Sequence, residues 1–261
     1  ALTRDEESDK AKELRALGVE VIRGNLDEPS GFNAYLKGVD GVYSVQSMHK
    51  GAEREIRQGI NLADYANEHN IPHIIYSSTA GATSQTGIPH FESKRVIEEH
   101  IKKTGLRYTI IRPCSFYENF LLPQVKHRLL KGKLVYPVSG ETVQQFIAAD
   151  DVGKLVVDAF MNPASYASRT ITLGAEELSI EQTAKVFSEM LNIPVHYQQL
   201  PGIITRLAMG KNLYAMFKWI NSHDAIFTDV QKCRKEYPWL TDLKTWIRKN
   251  FLVAQKETVI A

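Results

Sequence analysis

Cysteine is scarce: Cys114 and Cys233 are the only two in 261 residues. That is too few for a disulfide framework, and neither has a CxxC partner for a metal, so both read as free, buried or half-buried thiols and no metal is expected. No N-x-S/T acceptor occurs. No apolar run approaches the ~20 residues that span a bilayer, and no signal peptide opens the chain. Charge of one sign is not in excess. Lys and Arg total 32 against 30 Asp and Glu, a net of +2, which argues against nucleic acid or an anionic membrane as partner. These absences make the cytoplasm the default compartment. No internal repeat or low-complexity segment interrupts the sequence. An initiator Met is also missing. Residues 1–4 (ALTR) read as the tail of a buried strand, so an N-terminal piece is expected to precede Ala1.

What is present is a regular alternation. Residues 10–17 carry small and apolar residues at helical spacing, and Gly18 stops them. A β-branched strand at 19–24 follows, then a helix at 30–37 and a strand at 41–45. A helix at 52–69, with apolar Ile56, Ile60, Ala63 and Ala66, leads to a strand at 74–78. A helix at 91–103 then leads to a strand at 108–113. The strands are short continuous apolar runs, as expected where both faces are covered by helices. The order predicts an α/β fold of the doubly wound class, with a parallel sheet. Beyond Pro113 the rhythm changes. The pattern predicts a helix at 118–131, a strand at 146–149 running into a helix at 152–161, and a strand at 169–174. Ser179 with Gln182 forms a capping-box pattern for a helix through 191. The segment 202–221, rich in Met and aromatics, is expected to belong to a smaller domain.

A doubly wound sheet binds its ligand at the carboxyl ends of its strands. At the first end stand Thr3 and Arg4, with Lys10 nearby. An acidic residue at such a position takes the ribose 2′-hydroxyl of NAD, whereas an Arg accommodates the 2′-phosphate of NADP. At the second, Asn25 is placed for the adenine edge, although Asn is also a common turn residue. At the third, backbone groups around Gln46 are placed to line the adenosine. At the fourth, Ser77 and Ser78 end a buried strand, and a dozen residues later His90 and Lys94 share one helical face. Such a Lys can hold ribose hydroxyls and bias a neighbouring pKa. At the fifth, Pro113, Phe116 and Asn119 suit the nicotinamide end of a cleft.

Six segments in correct order, ALTRD, GVEVIRGNLDEP, YSSTAG, HFESKRVIEEHI, YTIIRPCSFYENF and FIAADDVGKL, resemble the NmrA-like family of atypical short-chain dehydrogenase/reductases over nearly the whole chain. The resemblance implies a Rossmann-like NAD(P)-binding domain at 1–115 and 143–175, and a smaller α/β substrate or regulatory domain at 116–142 and 176–261. It implies NADP(H) as cofactor. It also places the family's glycine-rich phosphate loop and first strand just upstream of ALTRD. A sheet without that central strand is expected to have a hole, and residues 1–261 by themselves are expected to bind cofactor poorly. Reductases of the wider superfamily use Ser, Tyr and Lys with a Y-x-x-x-K spacing. Here Ser78 and Lys94 match, and His90 stands where Tyr would be. That resembles members that sense NADP(H) rather than turn it over, though imidazole still donates a proton near neutral pH. Two functions follow: a redox sensor or weak reductase working through a regulatory partner, or an NADPH-dependent oxidoreductase of a quinone, carbonyl or activated double bond. In either case Ser78, His90 and Lys94 are the candidate catalytic residues.

Overall fold

The computed structural model describes residues 1–28, 31–83, 85–223 and 225–253. In chain order the elements begin with β1 (Leu2–Thr3), α1 (Asp9–Ala16), β2 (Ile22–Arg23), β3 (Val42–Ser44), α2 (Ala52–Glu68), β4 (Ile74–Ser77), α3 (Pro89–Lys103) and β5 (Tyr108–Pro113). They continue through β6 (Ser115–Phe116), α4 (Pro123–Leu129), β7 (Lys133–Tyr136), β8 (Val143–Ile147), α5 (Ala149–Met161), α6 (Pro163–Tyr166), β9 (Arg169–Leu173) and β10 (Glu176–Ser179). The last are α7 (Ile180–Leu191), β11 (His196–Gln199), α8 (Gly202–His223), α9 (Val230–Glu236) and α10 (Leu243–Ile247).

The residues fall into two units. The first comprises Ala1–Ser78, Pro89–Ile111 and Val156–Ile171. Its main sheet has the order β3-β4-β5-β9, with β3, β4 and β5 parallel. The apolar runs are buried as expected: Ile74, Ile75, Tyr76, Ile110 and Ile111 are all inaccessible to solvent. Ile74, Tyr76 and Ile110 pack on α2 through Ala63 and Ala66 and on α3 through Ile97 and Ile101. Gly59 lets these two helices close, since a Cβ there would lie 2.6 Å from Ile97. β1 and β2 form a separate parallel pair. Among the described residues no strand joins β1 to β3, and a cavity of about 780 Å³ is lined by residues of β1, β2 and β3 together.

The second unit comprises Thr79–Ile88, Arg112–Leu155 and Thr172–Ala261. Its core gathers Tyr117, Phe120, Phe146, Phe187, Trp246 and Phe251. β8 lies between β10, antiparallel, and β6, parallel. β7 pairs with β11 in parallel.

Two expectations are corrected. The helix expected at 30–37 is a short 3-10 turn, Asn33–Leu36, and Ser30 lies outside the described residues. The helix expected at 118–131 is broken, because the residue before Pro123 is driven out of the helical region. Leu122 has ψ 130, and a 3-10 turn over Tyr117–Leu121 gives way to α4 with Pro123 in its first turn. The segment 202–221 is helical but kinks at Gly210, whose φ of 81 is left-handed. The capping box is present, with Ser179 and Gln182 bonding each other's backbone N–H. Strands β7, β10 and β11 had no clear pattern in the sequence.

Candidate functional site

The carboxyl ends of the first unit's strands carry two different environments. At one, Thr3, Arg4, Asn25 and Gln46 all line the 780 Å³ cavity. Thr3 Oγ1 donates to the Asp5 carbonyl (3.0 Å) and accepts from the Asp5 N–H (3.2 Å), turning the chain just beyond β1. Arg4 follows directly and is exposed. The Asn25 carbonyl oxygen of the side chain accepts from the Asp27 N–H at 3.2 Å, the turn role that Asn favours. Lys10 is exposed on α1 and is not in the cavity wall. The wall also holds His49, Arg54, Phe32, Tyr35 and Tyr43, and among the described residues it includes no acidic side chain. Arg54 is anchored by Asp27, to which its Nε donates at 2.8 Å. The guanidinium holds that carboxyl down at about 2.

The other environment is closed. Gln46 belongs to both: its side chain is buried and donates to Ser44 Oγ at 3.0 Å, and its carbonyl accepts from Lys94 Nζ at 2.9 Å. Lys94 Nζ also donates to the Ser77 carbonyl at 3.2 Å and pairs with Glu55 Oε1 at 3.1 Å. The ammonium lies 5.3 Å above the Tyr76 ring. Burial pushes the Lys94 pKa down, while the charges of Glu55 and then Glu98 oppose the shift. The second Glu55 oxygen accepts from the Ser93 hydroxyl. Ser78 is held by its N–H on the Ile111 carbonyl (2.8 Å), and its hydroxyl donates to Glu98 at 2.5 Å. Glu98 in turn reaches Lys102 at 3.6 Å. His90 is half-buried with its ring 4.6 Å from that of Phe91. Burial lowers the imidazole pKa and so does the Lys94 charge, Glu55 opposing. The Tyr76 phenol is driven well above its ordinary range by burial, then by Glu55 and Glu98. It therefore stays protonated and is no base.

Ser77, Ser78, His90 and Lys94 thus belong to one end of the first unit, with Gln46 joining them to the cavity. Pro113, Phe116 and Asn119 belong to the second unit, respectively at the end of β5, in β6 and in the 3-10 turn that follows. Reading the sequence missed Glu55, Glu98, Ser93 and Arg54. A carboxylate in the first turn of a helix, such as Glu55, looks like a solvated residue that complements the helix dipole. Its one clue is the spacing Glu55, Gly59, Leu62 and Ala66, which is the buried stripe of α2.

The sequence profile of the NmrA-like family matches residues 1–247. An NAD(P)H azoreductase of Xenophilus azovorans is 27% identical over 218 residues, 82% of this chain and 74% of that protein. The negative transcriptional regulator NmrA in complex with NAD superposes with a TM-score of 0.79 at 21% identity, covering 99% of this chain and 89% of that one. Triphenylmethane reductase of Citrobacter sp. complexed with NADP(H) also gives 0.79 at 21% identity, with 95% and 89% covered. At such identities the two structures speak for the fold.

Proposed function

The chain belongs to the NmrA-like family, and from that premise we propose that it is a cytoplasmic NADP(H)-binding protein that works as a redox-responsive regulator or weak reductase. The observation that carries the proposal is the cavity wall. It combines Arg4, His49 and Arg54 with aromatic and amide side chains and, among the described residues, includes no carboxylate. A flat base, a ribose and an added phosphate are what such a wall suits. Arg4 would pair with the 2′-phosphate, Asn25 and Gln46 would flank the adenosine, and Lys94 would hold the second ribose. The assignment of Pro113, Phe116 and Asn119 to the nicotinamide end belongs to the same proposal.

NADPH supplies hydride when bound; the chain's part in a reduction is to place a proton donor beside the acceptor. The superfamily's Tyr is His90 here, and a lowered imidazole pKa leaves it mostly neutral at pH 7. The Ser78 hydroxyl is engaged by Glu98. Both observations favour slow turnover and hence the regulator, whose protein partner would respond to cofactor occupancy. The runner-up is an NADPH-dependent oxidoreductase of a quinone, carbonyl or activated double bond. Its support is the similarity to the azoreductase.

The test is to titrate the full-length protein with NADPH and NADH by fluorescence, then follow NADPH oxidation against a panel of carbonyls, quinones and azo dyes. Preferential NADPH binding with no acceptor consumed supports the regulator. Turnover at ~1 per second or faster, ordinary for enzymes, would establish the oxidoreductase instead. No difference between the two cofactors would remove the role given to Arg4.

A further inference from the structure

Lys94 has three N–H donors and no acceptor, and in the structure all three have partners: the Gln46 carbonyl, the Ser77 carbonyl and Glu55 Oε1. The partners are not equivalent. Gln46 and Ser77 offer neutral backbone oxygens just past β3 and at the end of β4. A sugar hydroxyl is a fair exchange for either, since one neutral acceptor replaces another. Glu55 is a side chain only 1% exposed, against 12% for Lys94. Exchanging it would strand two opposite charges out of water.

Glu55 is itself fixed. It sits on the buried stripe of α2, where Gly59 brings the helix against Ile97 of α3. One of its oxygens takes the Ser93 hydroxyl and the other takes Lys94, so two consecutive residues of α3 hold one carboxylate of α2. From this geometry we infer that Glu55 is the positioning residue of the dinucleotide site, holding the Lys94 ammonium at the ends of β3 and β4. The inference rests on the proposal that Lys94 meets the ribose, and it adds the group on which that contact depends. The other titratable groups around Lys94 are His90 and Glu98 on α3 and Tyr76 on β4. Of these, Glu98 has the Ser78 hydroxyl on its Oε1 and Lys102 near its Oε2, and Tyr76 is neutral. Glu55 is the anion in direct contact with the ammonium.

The experiment follows Lys94 itself in full-length protein labelled with 13Cε-lysine, its resonance assigned by its loss in Lys94→Met. Glu55→Gln is nearly isosteric; it removes the charge and exchanges one acceptor oxygen for an amide donor. It should lower the pH midpoint of Lys94 by about one unit or more, the usual effect of losing an opposite charge at contact distance. Glu55→Asp should restore most of the shift. Thermal unfolding of the double variant keeps the test open should Glu55→Gln fold poorly. Lys94→Met leaves the buried carboxylate unpaired, so adding Glu55→Gln to it should raise the melting temperature or leave it unchanged. An unmoved Lys94 midpoint, or losses that simply add in the double variant, would overturn the inference. The expected shift together with unchanged NADPH affinity in Lys94→Met would instead overturn the reading of Lys94 as a ribose contact.

Discussion

The two ends of the candidate site, both in the first unit, solve opposite problems. Around Arg4 the wall is open: Leu2, Tyr43 and Val45 are 37%, 40% and 52% exposed, and β1 and β3 have no strand between them among the described residues. Around Lys94 the site is closed, with Ser78, Ser93, Glu55 and Glu98 at most 5% exposed and hydrogen-bonded to one another or to Lys94. An open end can be tuned to a ligand at little cost to folding. In the closed end binding and stability share the same atoms around Lys94.

The sharpest way to break this contrast is Lys94→Ala. Removing one member of a buried pair leaves the other charge uncompensated, which costs about 3–5 kcal/mol. Denaturant unfolding should show a loss of that order, and NADPH and NADH affinities should fall together because both carry the ribose. A stability change under about 1 kcal/mol would place Lys94 among ordinary surface charges and dissolve the distinction between the ends.

Arg4→Ala is the complementary experiment. The side chain is exposed, so unfolding should barely respond, within about 0.5 kcal/mol. NADPH binding should weaken by about 1.5–3 kcal/mol, the range for a charge-assisted hydrogen bond, while NADH binding hardly moves. Equal losses for both cofactors would end the assignment.

Asp27 sharpens the comparison from within the open end. Hydrogen bonds from Arg54 hold its carboxyl at about 2, below the ~3.9 of an unfolded Asp. A pKa depressed by folding contributes stability above the unfolded value, lost as pH falls through the folded one. Asp27→Asn should therefore lower the melting temperature at pH 7 by about 2–4 °C, as a partly exposed ion pair does in a chain of this size. The difference should shrink as pH falls below the unfolded value and vanish only below the folded value of about 2, and a gap constant across that range would disprove the account. The smallest effect on binding is expected for His90→Phe, which should leave NADPH affinity unchanged and remove whatever turnover exists. Burial lowers the imidazole pKa. Any activity that uses His90 as proton donor should accordingly decline as pH rises through a value below the usual ~6.5. An activity flat from pH 5 to 8 would assign the donor elsewhere.

The centre of the first unit was legible in the sequence because β4 and β5 are buried on both faces. Ile74, Ile75, Ile110 and Ile111 read as apolar runs for that reason, and all four are fully buried. The spacing of His90 and Lys94 was legible because helical periodicity is local. β7 and β11 were not, since KLVY and HYQQ acquire strand geometry from pairing with each other across some sixty residues. Glu55 and Glu98 were hidden for a related reason: a carboxylate on a helix is almost always solvated. Only the partner that arrives from another element makes its burial tolerable.

The sequence by itself determined the alternation of helix and strand, the capping box at Ser179 and the order of candidate groups along the strand ends. All of these depend on residues within a few turns of one another. Tertiary structure alone decided which groups are charged against each other. The close approach of α2 and α3 puts Glu55 against Ser93 and Lys94, and the end of β4 puts Ser78 against Glu98. The strength of such pairs depends on how much water the surrounding elements exclude, a property of the packed unit rather than of any stretch of chain.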